Sequence, residues 1–190
     1  WLTWPLASML TEQLPCTQPH SCGFDTPFSA WAVSWVSHAL ATDPLHVGSA
    51  NIYYPLANAL YYGPAALGAV PYALPVFLAT GNAASAINTA FLSSVVLTAL
   101  ALHWVIWRWT DSHAAGFVSA WALFMNRWFL WGFVPVTPHL ATVQYLPLIV
   151  FVAARPLSNV RQAIVLIMLV TLQCLTDPLY VAVGVLLPLS

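Results

Sequence analysis

A water-exposed surface cannot be covered with four arginines, no lysine and five acids, yet that is all the charge this 190-residue chain carries. Soluble domains are about 25% charged, whereas this chain is 5% charged and 61% hydrophobic. Lipid must therefore be the solvent for most of the surface, and in lipid only self-satisfied backbones such as helices persist. The sequence predicts an all-α, polytopic transmembrane helix bundle. A net charge of −1 without any basic run leaves nothing to hold nucleic acid.

The chain opens on Trp1 inside the apolar stretch 1–10 and closes inside another, 181–190. Both ends read as cut, so the sequence is expected to be the N-terminal part of a longer protein whose C-terminal part is missing. No cleavable signal peptide is visible. Cys174 falls in an apolar helix and is expected to be inert packing. Cys16 and Cys22 share a polar loop, where they can close a small disulfide if that loop faces an oxidising compartment. A metal site is disfavoured because no further Cys or His partners are suitably spaced nearby.

Residues 11–26 are the most polar window, and a helix is expected from Pro27 to about Ala41, with Thr26 as its N-cap and Pro27 at its first position. An irregular polar and aromatic section, DPLHVGSANIYYPLANALYYGP, follows from Asp43. Residues 65–80 are apolar but short of the roughly 20 residues a span needs, and they hold Pro71 and Pro75. Four spans are expected beyond: 84–107, Ser112 to about Leu130, His139 to Ala154, and Val160 to Thr176 before the break at Asp177 and Pro178. If 65–80 is a half-buried or re-entrant helix, then Arg108, Arg155 and Arg161 all lie on one side and the polar region on the other, as the positive-inside rule requires. If it crosses, those arginines fall outside. The first arrangement is preferred. It makes 11–83 a long extracytoplasmic first loop with membrane-parallel helices, 84–190 the transmembrane part, and 131–138 a second external loop on the same face.

Candidate chemistry is sought on that face. Asp25 stands at a helix start, where the macrodipole favours a carboxylate; it is either a capping acid or a general base or metal ligand. Trp31, Trp35 and His38 follow at spacings that place them on one helix stripe. That stripe suits an interfacial helix with headgroup-level tryptophans, and it also suits the wall of a site. Asp43, His46, Asn51, Tyr53 and Tyr54 form a second polar-aromatic group that turn and interface chemistry can also explain. Arg127 and His139 flank the second external loop; an Arg there either snorkels or binds phosphate. His103 and His113, with Trp104 and Asp111, read as interface positioning at the opposite ends. Asp177 reads as the cap of a new helix. No HExxH, GxSxG or Walker pattern occurs, which weakens protease and ATPase readings.

The order of features resembles the GT-C superfamily of polytopic glycosyltransferases, particularly the prokaryotic mannosyltransferase-like group. The matching pieces run LTWPLASML, Asp25 followed by AWAVSWVSHAL, ANIYYPLANAL, ALPVFLATGNAASAIN, HWVIWRWT, NRWFLWGF with HLATVQYLPL, and TLQCLTDPLY. The resemblance implies an integral enzyme of the cell membrane that takes a sugar from a polyprenyl-phosphate donor in the outer leaflet and passes it to an acceptor outside. It implies that Asp25 is the essential acid, deprotonating or orienting the acceptor. His38, Asp43, Tyr53, Tyr54, Arg127 and His139 become substrate-binding candidates, with Arg127 or His139 nearest the donor phosphate. Phe24 stands before the acid where a Gly is more usual, and the chain stops after about half of the transmembrane region expected for the family. The sequence leaves open the sugar, the acceptor and any divalent metal. Two alternatives remain: a transporter or lipid flippase, and a non-catalytic membrane assembly subunit.

Overall fold

The computed structural model describes residues 8–14, 25–63, 65–126, 142–156 and 158–177. Every regular element among them is helical: α1 (Asp25–Thr42), α2 (Val70–Thr80), α3 (Ala83–Thr110), α4 (His113–Met125), α5 (Leu146–Ala153) and α6 (Val160–Thr176), with 3-10 turns at Pro44–His46, Ala59–Tyr62 and Leu67–Ala69.

The longest helix, α3, has 28 residues, about 42 Å at 1.5 Å per residue, against a hydrocarbon core of about 30 Å. Among the described residues it is the helix long and apolar enough to cross a membrane. Its neighbours are attached by very short links. Gly81 closes α2 in the left-handed region at φ 62, donating its N–H to Phe77 O at 2.7 Å, where glycine meets no Cβ penalty. Asn82 then caps α3, its side chain accepting from the Ser85 N–H at 2.9 Å. At the far end Asp111 takes the left-handed cap position and Ser112 caps α4. α2 and α4 consequently fold back along α3.

Small residues bring the helices close. Ala30 and Val33 of α1, Ala73 of α2, and Ala86, Ile87 and Ala90 of α3 form one buried cluster. Phe91 centres a second with Leu10, Leu123, Phe124 and Val143 around it. Segment 8–14 is tied down by Asn88, whose amide donates to Leu10 O at 2.9 Å and Gln13 O at 2.6 Å. At Gly116 an added Cβ would lie 2.6 Å from His103 O, so α4 can approach α3 there only with glycine.

Several expectations are corrected. The first helix begins at Asp25, so Thr26 is a buried residue within its first turn rather than the cap. The expected span to Leu130 stops at Met125, because Asn126 is extended; α4 has 13 residues, about 20 Å. Of the expected span from His139, residues 139–141 lie outside the described residues, and the helix in the remainder is the eight residues of α5. Thr142 to Tyr145 are irregular, with Thr142 and Gln144 buried and bonded across the molecule, and Pro147 fixes the helix start just after them. Cys174 is exposed on α6 rather than packed. Helices are present where the first and last spans are expected, as α3 and α6; of the two, α3 is long enough to cross a membrane, while α6 has 17 residues and stops at Asp177 as expected. The helix within 65–80 covers 11 residues, about 16 Å, roughly half a bilayer core. Cys16, Cys22 and the second external loop lie outside the described residues.

Two ends can be told apart. Phe151 of α5 packs edge-on against Trp104 at 4.8 Å, and the Arg155 guanidinium sits 4.2 Å from the Phe151 ring centroid. Arg108 and Arg155 therefore gather at the C-terminal end of α3, beside the turn that leads to Arg161. There His113 stacks on Trp107 at 4.6 Å, and its Nδ1 lies 3.3 Å from His103 Nε2, joining α4 to α3. α1 meets α3 through Ala86 to Ala90, at least 18 residues or about 27 Å from Arg108. Away from these contacts, Val96 and Leu100 of α3, Phe117 and Trp121 of α4, and Ile167 and Met168 of α6 are exposed, a surface that water would penalise.

Candidate functional site

Asp25 is exposed in the first turn of α1, and its backbone carbonyl accepts from Ser29 Oγ at 2.7 Å. The free N–H groups of a helix start favour a carboxylate at this position. α1 buries Ala30, Val33, Val36 and Ser37, leaving Trp31 and Trp35 half-buried on another side. Those tryptophans share a stripe, as their spacing requires, and both are hydrogen-bonded within the protein. Trp31 Nε1 donates to Asn51 Oδ1 at 3.2 Å, and Trp35 Nε1 donates to Val47 O at 2.9 Å.

These bonds make the irregular section run back along α1. It turns at Asp43, passes Trp35 at Val47 and Trp31 at Asn51, and reaches Phe28 at Gly63, where an added Cβ would lie 3.1 Å from the Phe28 ring. Leu60 N–H donates to Gly48 O at 3.1 Å, and Ala59 and Leu60 are buried beneath the loop. The result is a pinned ledge from which Tyr53, Tyr54, Tyr61 and Tyr62 project. Replacing Trp31 and Trp35 together with Phe should remove both indole bonds at about 1 kcal/mol each. Amide exchange across 47–62 is then expected to accelerate by about 30-fold while α3 is unchanged; unchanged exchange on the ledge would show that the indoles do not hold it.

The sequence-predicted residues divide along this helix. Asp43 and His46 form an exposed pair, with Nδ1 2.9 Å from one carboxylate oxygen and 3.0 Å from the other. That contact holds Nδ1 on the acid and leaves Nε2 facing outward. His38 is exposed beside Trp35, ring centroids 6.4 Å apart. Asp25 stands about 20 Å along the axis from His38 and about 25 Å from the Asp43 end. One small substrate cannot touch both ends; an extended one can. Asn51 is held at the level of Trp31, about 9 Å along the axis from Asp25, and Tyr53 and Tyr54 follow it by two and three residues. Arg127 and His139 lie outside the described residues. Among the described residues no three His, Cys, Asp or Glu side chains come together to hold a metal ion.

Sequence reasoning missed Tyr61 and Tyr62, and it also missed a buried polar knot. Ser94 Oγ of α3 donates to Gln144 Oε1, and the Tyr72 and Tyr145 hydroxyls are 3.2 Å apart. Gln173 Nε2 of α6 donates to Thr142 O at 3.0 Å, while its Oε1 is buried without a partner. The available signal was the presence of glutamines and paired hydroxyls inside apolar stretches, which lipid tolerates only when they are bonded.

No family model matches the chain, and no curated protein or solved structure matches it either.

Proposed function

We propose that this chain is part of an integral membrane glycosyltransferase of the GT-C type. In this reading it transfers a sugar from a polyprenyl-phosphate donor to an acceptor on the extracytoplasmic face of the cell membrane. The observation that carries the proposal is the placement of Asp25. Its exposed carboxylate sits on a helix packed against the first half of a membrane-length helix, while Arg108 and Arg155 gather at that helix's other end. With the arginines inside, α1, α2 and the ledge face outward. In this reading α4 and α6, although shorter than α3 at 13 and 17 residues, lie with it in lipid, and the protein is multi-pass. α2, 11 residues long and holding Pro75, is read as a re-entrant helix beside α3.

The chemistry follows from that placement. The acceptor O–H attacks C1 of the donor sugar, the C1–O bond to phosphate breaks, and polyprenyl phosphate leaves. Asp25 takes the acceptor proton or orients the hydroxyl. Arg127 and His139 are the candidates to meet the phosphate. The tail of the donor stays in lipid, so a carboxylate at headgroup depth meets the sugar without leaving the interface.

A transporter or lipid flippase is the second reading, favoured by the polar knot of Tyr72, Ser94, Gln144 and Gln173 between the helices. The full-length protein in liposomes carrying radiolabelled sugar on polyprenyl phosphate separates the two. Transfer to an external acceptor supports the enzyme. Absence of transfer with every donor, together with donor movement between leaflets, removes it and leaves the transporter.

A further inference from the structure

We infer that the ledge of residues 43–62 is a binding platform for a neutral glycan. Its role as the acceptor site rests on the glycosyltransferase reading; the binding itself does not.

Four tyrosines project from ten residues of chain: Tyr53, Tyr54, Tyr61 and Tyr62 are 55%, 97%, 55% and 69% exposed. Packing does not favour this display. Tyr53 holds φ 58, a left-handed conformation that costs a bulky side chain free energy and persists only where its surroundings enforce it. The enforcement comes from below, through the Trp31 bond to Asn51, the Trp35 bond to Val47 O and the Leu60 bond to Gly48 O. The rings are thus presented on a preformed base, which lowers the ordering cost of binding a ligand.

The ledge exposes Leu45 (89%) and Leu56 (53%) beside the rings, and its polar groups place it on the water side of the interface. The exposed Asp43–His46 pair and the exposed Ser49, Asn51 and Asn58 lie among the rings, and a carboxylate is expensive in lipid. The surfaces of α4 and α6 that expose Phe117, Trp121, Ile167 and Met168 have the opposite composition.

Charge narrows the ligand. Between residue 25 and Arg108 the sequence holds neither Lys nor Arg, and its charges there are Asp25 and Asp43. A phosphate, sulfate or uronate would meet the Asp25 and Asp43 carboxylates and no Lys or Arg of this stretch. A neutral sugar suits every feature: its C–H face stacks on a tyrosine ring, and its hydroxyls bond to phenols and to Asn58. The ledge ends at Gly63 beside Phe28, one helical turn from Asp25, so a chain of sugars laid along it reaches the carboxylate.

The test uses the full-length protein in phosphatidylcholine nanodiscs and a panel of pentasaccharides of mannose, glucose, arabinose and N-acetylglucosamine, with a galacturonate pentamer as the anionic member. At least one neutral pentamer should bind, and the galacturonate should not. The variant Tyr53→Ala/Tyr54→Ala/Tyr62→Ala, altered only at exposed rings, should weaken that binding at least tenfold. A nitroxide at Tyr54→Cys should be reached by a water-soluble relaxant. The inference is overturned if no neutral pentamer binds, if the triple variant binds equally well, or if the nitroxide is accessible only from lipid, which would make the ledge a membrane anchor. Binding without transfer from any donor leaves the ledge standing and removes the enzyme. Transfer by the triple variant at an unchanged acceptor KM removes the ledge and leaves the enzyme.

Discussion

Asp25→Asn is expected to lower sugar transfer by about 10²- to 10⁴-fold, the range over which a positioned general base or acid acts, with little change in stability. The amide has the shape of the carboxylate but cannot take a proton. Because the side chain is exposed, removing its charge leaves nothing buried and unpaired. Among the described residues the hydrogen bond at this position runs from Ser29 Oγ to the backbone carbonyl, which the substitution keeps. The loss should therefore appear in kcat, with thermal unfolding shifted by a degree or two from the lost helix-terminus interaction. Asp25→Glu should recover part of the activity. If Asp25→Asn transfers sugar at the wild-type rate, the acid is only a helix-start charge and the catalytic group lies elsewhere.

Gly68→Val should be the most damaging single substitution to the fold. An added Cβ at Gly68 would lie 1.8 Å from Thr176 Oγ1 and 2.8 Å from the Thr176 backbone Cα. A side chain can swing away, but a backbone atom cannot. The turn Leu67–Ala69 would have to withdraw from the end of α6, disturbing the nearby Gln173 and its bond to Thr142. Overpacking of this kind costs typically 1–3 kcal/mol and occasionally more, so the apparent Tm in detergent should fall by about 5–10 °C. Gly81→Ala is the control, since nothing lies within 4 Å there and only the φ of 62 opposes it. Equal Tm values for the two variants would mean that the 67–69 turn and α6 do not touch.

The long elements were legible because their signals are local. Twenty-four uncharged residues from 84 to 107 could only be a helix, and Asp177 with Pro178 marked where α6 stops. The failures arise where distant partners decide. Residues 139–154 look apolar enough to span, but among the described residues the helix starts only at Leu146, and Thr142 and Gln144 just before it are bonded to Gln173 and Ser94. The tryptophan stripe was visible from spacing alone, yet nothing local says that Asn51 and Val47 fold back onto it. For the same reason the candidate residues could be named but not grouped. Only the path of the ledge shows that Asn51, two residues before Tyr53, lies nearer Asp25 along the helix axis than His38 or Asp43 does.

The central claim is that the ledge and α2 face outward while the arginine turn faces inward. Thiol labelling in whole cells tests this most directly, using Thr80→Cys and Ser158→Cys each in a background without Cys16, Cys22 and Cys174. Both positions are exposed and lie at opposite ends of the helices they adjoin. An impermeant maleimide is expected to label residue 80 in intact cells and residue 158 only after permeabilisation. Labelling of both from the same side would contradict the topology, and with it the outward placement of Asp25.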